Sequence, residues 1–212
     1  MSIFVVGSSK NAFFPMDDFR VKFIIDVQHD NDNIDFLNPW YCELTGLYYM
    51  WHHDKDPIVG LEHYRRFFAD NNGNPISRND AHNILNNYDI ILRRFELPVN
   101  ENTPWKHFAN KRKPYLDFFL KNLDKQYRDY IIDAFHTETY IAQCNMFISN
   151  ATLMNEYCCW LFRQLSKMPF DYFIKSPRII GYLSEFVLKF YMDFHHRHIY
   201  WCPSITLSAA AH

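Results

Sequence analysis

An aromatic-rich helical segment and an apolar strand follow each other almost without a gap between Asn38 and Phe68, and that junction commits the chain to layers of helix on sheet. The helical part reads Asn38-Pro-Trp-Tyr-Cys-Glu-Leu-Thr-Gly-Leu-Tyr-Tyr-Met-Trp51. It passes through His52-His-Asp-Lys-Asp-Pro57 into Ile58-Val-Gly-Leu-Glu-His-Tyr-Arg-Arg-Phe-Phe68. Asn38 is suited to capping the helix, with Pro39 in its first turn, and the pattern carries to about His52. Pro57 to Phe68 is expected to form one strand whose end presents His63, Tyr64, Arg65 and Arg66.

The same alternation surrounds this core segment. Ile3 to Val6 reads as a buried first strand, ended by the polar turn Gly7-Ser-Ser-Lys-Asn11, and Val21 to Val27 as a second. A short helix over Ser77–Asn86 and a strand over Tyr88–Leu92 follow. Pro98 to Pro114 is polar and carries proline, which predicts a long loop. Leu116, Phe119, Leu120, Leu123, Tyr127, Tyr130 and Ile131 recur at helical spacing, so Pro114–Phe135 is expected as one helix. Tyr140–Ile148 is a strand candidate, and Ala151–Leu165 (capped by Asn150) and Pro177–Phe194 are expected helices. Strands and helices alternating over the first ninety or so residues predict an α/β mixed sheet flanked by helices, with a helix-rich second half. One domain over residues 1–207 is expected, with 208–212 a featureless tail.

Bulk properties exclude several classes. A formal net charge of −2 gives no global attraction to nucleic acid. Five cysteines are odd in number and include no Cys-x-x-Cys pair, which argues against a disulfide framework or zinc ribbon and for a reducing, cytoplasmic setting. No segment approaches the ~18 apolar residues of a membrane span. Trp105-Lys-His107 and Lys111-Arg-Lys113 could rest on an anionic membrane face, although such runs are also ordinary solvated loops.

Several motifs carry chemistry, each beside a plainer explanation. Two adjacent guanidiniums, Arg65 and Arg66, fit phosphate oxygens, and the plain alternative pairs them with Glu62 and Asp70. Strand alternation would send one of them inward, where a buried Arg needs a partner. Ser8 and Lys10 follow the first strand, where open α/β sheets meet ligands, but no Walker A or G-x-G-x-x-G sequence supports them. Asp54-Lys-Asp56 has a spacing that suits a divalent cation such as Mn2+ or Mg2+, and it also suits a turn. The histidine-rich pieces His52-His53 and His195-His-Arg-His198 have no acidic or thiol cluster beside them and read as solvated helix ends. Asn145 interrupts an apolar run and could read sugar hydroxyls or tie down a loop. Glu43 and Glu185 fall on largely apolar helices, as paired core carboxylates or as catalytic groups.

These segments together resemble the bacterial family known as domain of unknown function 4422, whose members occur in capsule, exopolysaccharide and O-antigen gene clusters. The likeness rests on Asn38, Tyr-Cys-Glu43-Leu-Thr45 and Tyr-Tyr-Met-Trp51, then Ile58 to Phe68, Tyr88-Asp-Ile-Ile-Leu92, Asn145-Met-Phe-Ile148, Tyr157-Cys-Cys-Trp-Leu-Phe162 and Arg178-Ile-Ile-Gly-Tyr-Leu-Ser-Glu185. It covers nearly the whole chain in order. Two positions depart from the pattern. The family's first strand usually ends in His-Lys where this chain has Ser9-Lys10, and its late Glu is often followed by Arg where this chain has Phe186.

The resemblance implies a GT-A-like glycosyltransferase, similar to galactofuranosyltransferases that use UDP-galactofuranose. The acceptor would be an oligosaccharide or lipid-linked glycan at the cytoplasmic face of the membrane. Arg65, Arg66, Tyr64, Lys10, Ser8, Asn38, Glu43 and Thr45 would then meet the donor and its diphosphate. Asn145, Met146 and Arg178 would meet the sugar or acceptor, with Glu185 as base and His63 beside it. Asp54 and Asp56 leave a metal route open. A non-catalytic glycan-binding subunit and a transferase for another nucleotide sugar are the alternatives.

Overall fold

Every residue of the first strand, β1 (Ser2–Gly7), is buried, as an unbroken apolar run requires when both faces of a sheet are covered. The computed structural model describes residues 1–11, 13 and 16–206, with residues 109–111 described by backbone alone. The expected tail, 208–212, lies outside these residues.

β1 lies between β2 (Arg20–Ile24) and β3 (Ile58–His63), parallel to both. β3 then pairs antiparallel with β6 (Tyr140–Asn150), which pairs antiparallel with β5 (Ile90–Glu96). β7 (Ile199–Cys202) closes that edge parallel to β5, giving the order β2-β1-β3-β6-β5-β7. β4 (Arg66–Phe68) turns back on β3 and pairs with β8 (Ser204–Thr206).

Alternation along the strands builds two cores. Ile3, Ile91, Met146 and Ile148 face the smaller one, with Ala81 of α3 (Arg78–Leu85) and Phe68. Phe4, Val6, Ile90, Leu92 and Phe147 face the larger one. That side is covered by α2 (Leu44–His53), α4 (Pro104–Asn122), α5 (Lys125–Thr137), α6 (Ala151–Leu165) and α8 (Ile179–Phe194). Burying an aliphatic or aromatic side chain contributes about 1.5–3 kcal/mol. α8 holds Ile180, Leu183, Val187 and Phe190 fully buried, so packing sustains it despite two β-branched residues in its first turn.

Three expectations need correction. The loop over 98–114 is helical from Pro104, because Thr103 caps the helix by accepting from the Lys106 N–H at 3.3 Å and Pro104 sits where no N–H is needed. Pro114 lies inside that helix rather than starting a new one. The helix expected to continue to Phe135 instead breaks at Leu123 and Asp124, where Asp124 takes hydrogen bonds from Arg163, Gln164 and Lys167. The helix from Asn38 likewise divides into α1 (Asn38–Tyr41) and α2, because Cys42 adopts φ 53° and ends the first turn. Asn38 is itself helical and caps nothing with its side chain. A further single turn, α7 (Phe170–Phe173), precedes α8.

Gly60 sits where β3 meets β6. A Cβ there would lie 2.9 Å from the Phe147 carbonyl oxygen and 3.1 Å from a side-chain carbon of Ile3. Backbone oxygen in a paired strand cannot withdraw, so Gly60→Ala is expected to lower stability by about 1–3 kcal/mol. A urea midpoint equal to that of the parent protein would refute this.

Candidate functional site

The C-terminal ends of β1 and β3 open into a cavity of about 490 Å³. This is the side of a parallel sheet segment where α/β proteins take ligands. Four chain segments converge on it: the turn after β1, the β3–β4 hairpin, the kink at Cys42–Glu43, and the first two turns of α8. A bulge in β6 supplies the floor. There Leu92 still faces Phe147 while Arg94 already faces Ala142, so four β6 residues stand opposite Arg93 alone. The extra length pushes Gln143 and Cys144 into the cavity.

Backbone strain is concentrated at this point. Cys42 (φ 53°), Cys144 (φ 69°), Asn145 (φ 51°) and Arg178 (φ 64°) all occupy the left-handed region without being glycine. Such conformations persist only where surrounding structure holds them, and they cluster at functional sites. Arg178 is fixed by its N–H donating to the Pro39 carbonyl at 2.8 Å, at the start of α8.

Two carboxyl groups line the cavity. Glu43 accepts from Asn145 Nδ2 at 3.0 Å, and Glu185 accepts from the Cys144 N–H at 3.0 Å. Burial and then the charge of Glu43 push Glu185 up to about 8, against the opposing pull of that N–H and of Arg178 and Arg66. At neutral pH Glu185 therefore keeps its proton. Burial also lowers His63, with Arg66, Arg178 and Arg65 adding to the effect against Glu43. Among the described residues its buried Nε2 has no partner. The thiols of Cys42 and Cys144 are each pushed up to about 11, chiefly by burial, so both stay protonated.

Three guanidiniums line the same cavity. Among the described residues Arg65, Arg66 and Arg178 form no salt bridge with a carboxylate, since Glu62 is taken by Arg20 and Asp70 by the turn amides of Asn72 and Asn74. Arg66 leans on the Cys144 sulfur at 3.5 Å, and Arg65 lies over the Tyr64 ring. Arg178 lies over the Tyr182 ring at 5.1 Å, where Arg112 of α4 also rests at 3.9 Å. Unpaired guanidiniums around a cavity form a receptor for an anion with several oxygens.

The expected strand over 57–68 is in fact a hairpin, with His63 opposite Arg66 and Tyr64-Arg65 at its tip. The two arginines are thus displayed by a turn, and both line the cavity.

The structure sorts the expected site residues. Ser8, Glu43, His63, Tyr64, Arg65, Arg66, Arg178 and Glu185 are brought together. Thr45 is not, because its hydroxyl is buried and donates to the Cys42 carbonyl at 2.8 Å. Met146 points into the smaller core. Asn145 lies beneath the floor, outside the lining, and donates to Glu43 and to the Gly181 carbonyl. Asn38 stays in α1, outside the lining. Lys10 is exposed beside Asp26, and the Ser8 and Ser9 amides are already taken by Asn11 at 2.6 Å and Asp26 at 2.6 Å. Asp54 and Asp56 precede β3, at the end opposite the cavity, where Asp54 accepts from Ser2. Among the described residues no group of three His, Cys, Asp or Glu side chains is arranged to hold a metal.

Sequence reading missed Asn11, Cys42, Gln143, Cys144 and Tyr182. Only Tyr182 had a usable signal, since 178, 182 and 185 share one helix face. A wider hollow beside Asp124 and Lys125 offers no comparable chemistry, because Asp124 is already paired with Arg163 and Lys167. No helix among the described residues is long and apolar enough to cross a membrane.

The sequence profile of a family described as a domain of unknown function, DUF4422, matches residues 4–197. No curated protein matches the chain. A solved structure described as the apo form of the bifunctional glycosyltransferase WbbM is similar in fold, with a TM-score of 0.78 at 19% identity. The match covers 98% of this chain and 45% of that one, so the chain spans less than half of that protein's length. The shared architecture is the GT-A-like mixed sheet flanked by helices that the sequence led us to expect.

Proposed function

Because the chain belongs to the DUF4422 family, we propose that it transfers a hexosyl unit from a nucleotide sugar to a glycan hydroxyl in bacterial surface-polysaccharide synthesis. The donor is taken to be UDP-galactofuranose, transferred with inversion, and the acceptor an oligosaccharide or lipid-linked glycan at the cytoplasmic membrane face. The domain carrying this activity is taken as residues 1–207. The similarity to a bifunctional glycosyltransferase supports the reaction class.

One observation carries the proposal: a single cavity holds two buried carboxyls together with three guanidiniums that have no carboxylate partner among the described residues. Glycosyl transfer needs both. The acceptor oxygen attacks the anomeric carbon as the bond from that carbon to the diphosphate oxygen breaks. A base must take the hydroxyl proton, and positive charge must receive the leaving diphosphate. Glu185 is assigned the proton, and Arg65, Arg66 and Arg178 the diphosphate. His63, neutral and with a buried Nε2 that no described residue engages, and Tyr64 shape the sugar side. Charge is supplied by arginine, and the Asp54–Asp56 pair stands away from it, so no divalent ion is required for donor binding.

Calorimetric titration with UDP tests this. Binding should persist in a chelator, and Arg66→Ala should weaken it by about 1.5–3 kcal/mol, the worth of a hydrogen bond to a charged group. Binding that appears only with manganese would move the diphosphate to a metal site. No binding in either condition would favour a glycan-binding subunit over an enzyme.

A further inference from the structure

A second surface has the chemistry of a sugar site, away from the cavity. An open groove of about 370 Å³ runs along the edge strand β7, lined by Tyr88, Tyr140 and Trp201 together with Asp193, Arg197 and His198. Tyr140 meets Trp201 edge-on at 5.5 Å, so the two rings present faces at a steep angle to each other. Arg94 at 3.8 Å and Lys189 at 4.4 Å cover the faces of the Tyr140 ring and hold it in place, which fixes where its hydroxyl stands. Tyr88 is 40% exposed at the other end of the groove.

We propose that this groove binds the acceptor glycan at a distance from its reacting end, by stacking a hexose ring on Trp201 with the Tyr140 and Tyr88 hydroxyls beside it. The inference rests on the assignment of glycosyl transfer to the cavity. Sugar C–H groups carry partial positive charge and meet the negative face of an aromatic ring, while their hydroxyls need planar polar neighbours. The groove offers both. Among the described residues the Tyr88 and Tyr140 hydroxyls and the Trp201 indole N–H make no hydrogen bond within the protein, whereas Trp40 and Trp51 spend theirs on Ile174 and Asn155. Arg197 is tied to Glu156 through Nη2 at 3.0 Å, which holds it against the groove. Ile199 is the sole aliphatic side chain in the lining, which disfavours an apolar protein segment as occupant.

Position favours the same conclusion. Asp193 lies eight residues beyond Glu185 on α8, about 12 Å along the helix axis. Tyr140 precedes Gln143 of the cavity floor by three residues of β6, about 10 Å. A glycan with its terminal hydroxyl beside Glu185 would need only a few sugar units to reach Trp201. Such a contact would let the protein prefer a growing chain over a free monosaccharide.

The test uses the whole chain and a panel of bacterial surface polysaccharides, neutral and acidic, with saturation-transfer NMR and affinity electrophoresis as readouts. At least one polysaccharide should bind the parent protein. Trp201→Ala and Tyr140→Ala should each weaken that binding about threefold to tenfold, and Trp201→Phe, which keeps a ring, should weaken it less. UDP titration of the same variants should be unchanged, which separates this groove from the donor cavity and shows that the variants fold. Polysaccharide binding of equal strength in parent and Trp201→Ala, or no binding across the panel, overturns the proposal. A parent that binds polysaccharide but not UDP keeps the groove and removes the assigned activity. Dimers lost on Trp201→Ala, with no glycan bound, would instead make this edge a contact between copies.

Discussion

Glu185→Gln is expected to lower glycosyl transfer by about 10²–10⁴-fold, or roughly 2.7–5.5 kcal/mol of barrier, while leaving UDP affinity within the range of the parent. Gln keeps the shape and can still accept from the Cys144 N–H, but it cannot take a proton from the acceptor. The parent's rate should rise with pH along a limb centred near 8, because burial and Glu43 hold Glu185 protonated below that value. The Gln variant should lack that limb. Glu43→Gln offers a second reading of the same coupling. It keeps an acceptor for Asn145 Nδ2 and removes the charge that raises Glu185, so the limb should move to lower pH.

Stability provides the control. A carboxyl whose folded-state value is raised makes its stabilising contribution below the unfolded value, and that contribution is lost as pH rises through the folded value. For Glu185 the window runs from about 4.5 to about 8. Glu185→Gln should therefore be no less stable than the parent at pH 9, where the parent carries a buried charge. Full transfer activity in that variant would end the assignment of the base, and a variant unfolded at pH 9 would mean that Glu185 serves the fold.

The fold was legible wherever local pattern and burial agree. Ile3 to Val6 reads as a buried strand because both of its faces are covered, and Asn150 caps α6 by accepting from the Leu153 N–H, as its position suggested. Legibility failed where composition and geometry diverge. Thr103-Pro104 starts a helix whose polar first turn resembles a loop, and Phe108 is buried by packing that no local pattern announces. β7 and β8 are too short to carry a periodic signal.

The site was legible in residue type more than in arrangement. Arg65, Arg66, His63 and Glu185 stood out because charged groups beside apolar strands and helices require an explanation. Their meeting with Glu43 depends on the β6 bulge and on Cys42 and Arg178 holding positive φ, all set by tertiary contacts. The placing of Asn145 was illegible for the same reason: the bulge turns it down toward Glu43. Cys144 entered the cavity by that same turn.

The largest effect on stability is expected at the hairpin that displays the arginines. Glu62, fully buried, takes Arg20 Nε at 2.7 Å and the Phe68 N–H at 2.9 Å, which ties β2, β3 and β4 together. Arg20 also donates to the Ile76 carbonyl at 3.1 Å and lies over the rings of Phe19 and Phe67. Arg20→Ala would leave Glu62 charged and buried with only an amide for company, at a cost of about 3–5 kcal/mol by thermal or urea unfolding. Burial already holds Glu62 above its ordinary value, and losing Arg20 pushes it further. The deficit should therefore shrink as pH falls toward about 4.5, because both folded chains hold Glu62 above that value and the variant, where it is higher still, takes up its proton first. Pairing Arg20→Met with Glu62→Gln should recover most of the loss, because Gln is neutral and still accepts from Phe68. Since β4 begins at Arg66, the single variant should also weaken UDP binding, and the double variant should restore it. A pH-independent deficit, or a double variant no better than the single one, would show that the loss comes from packing around Arg20 rather than from a stranded charge.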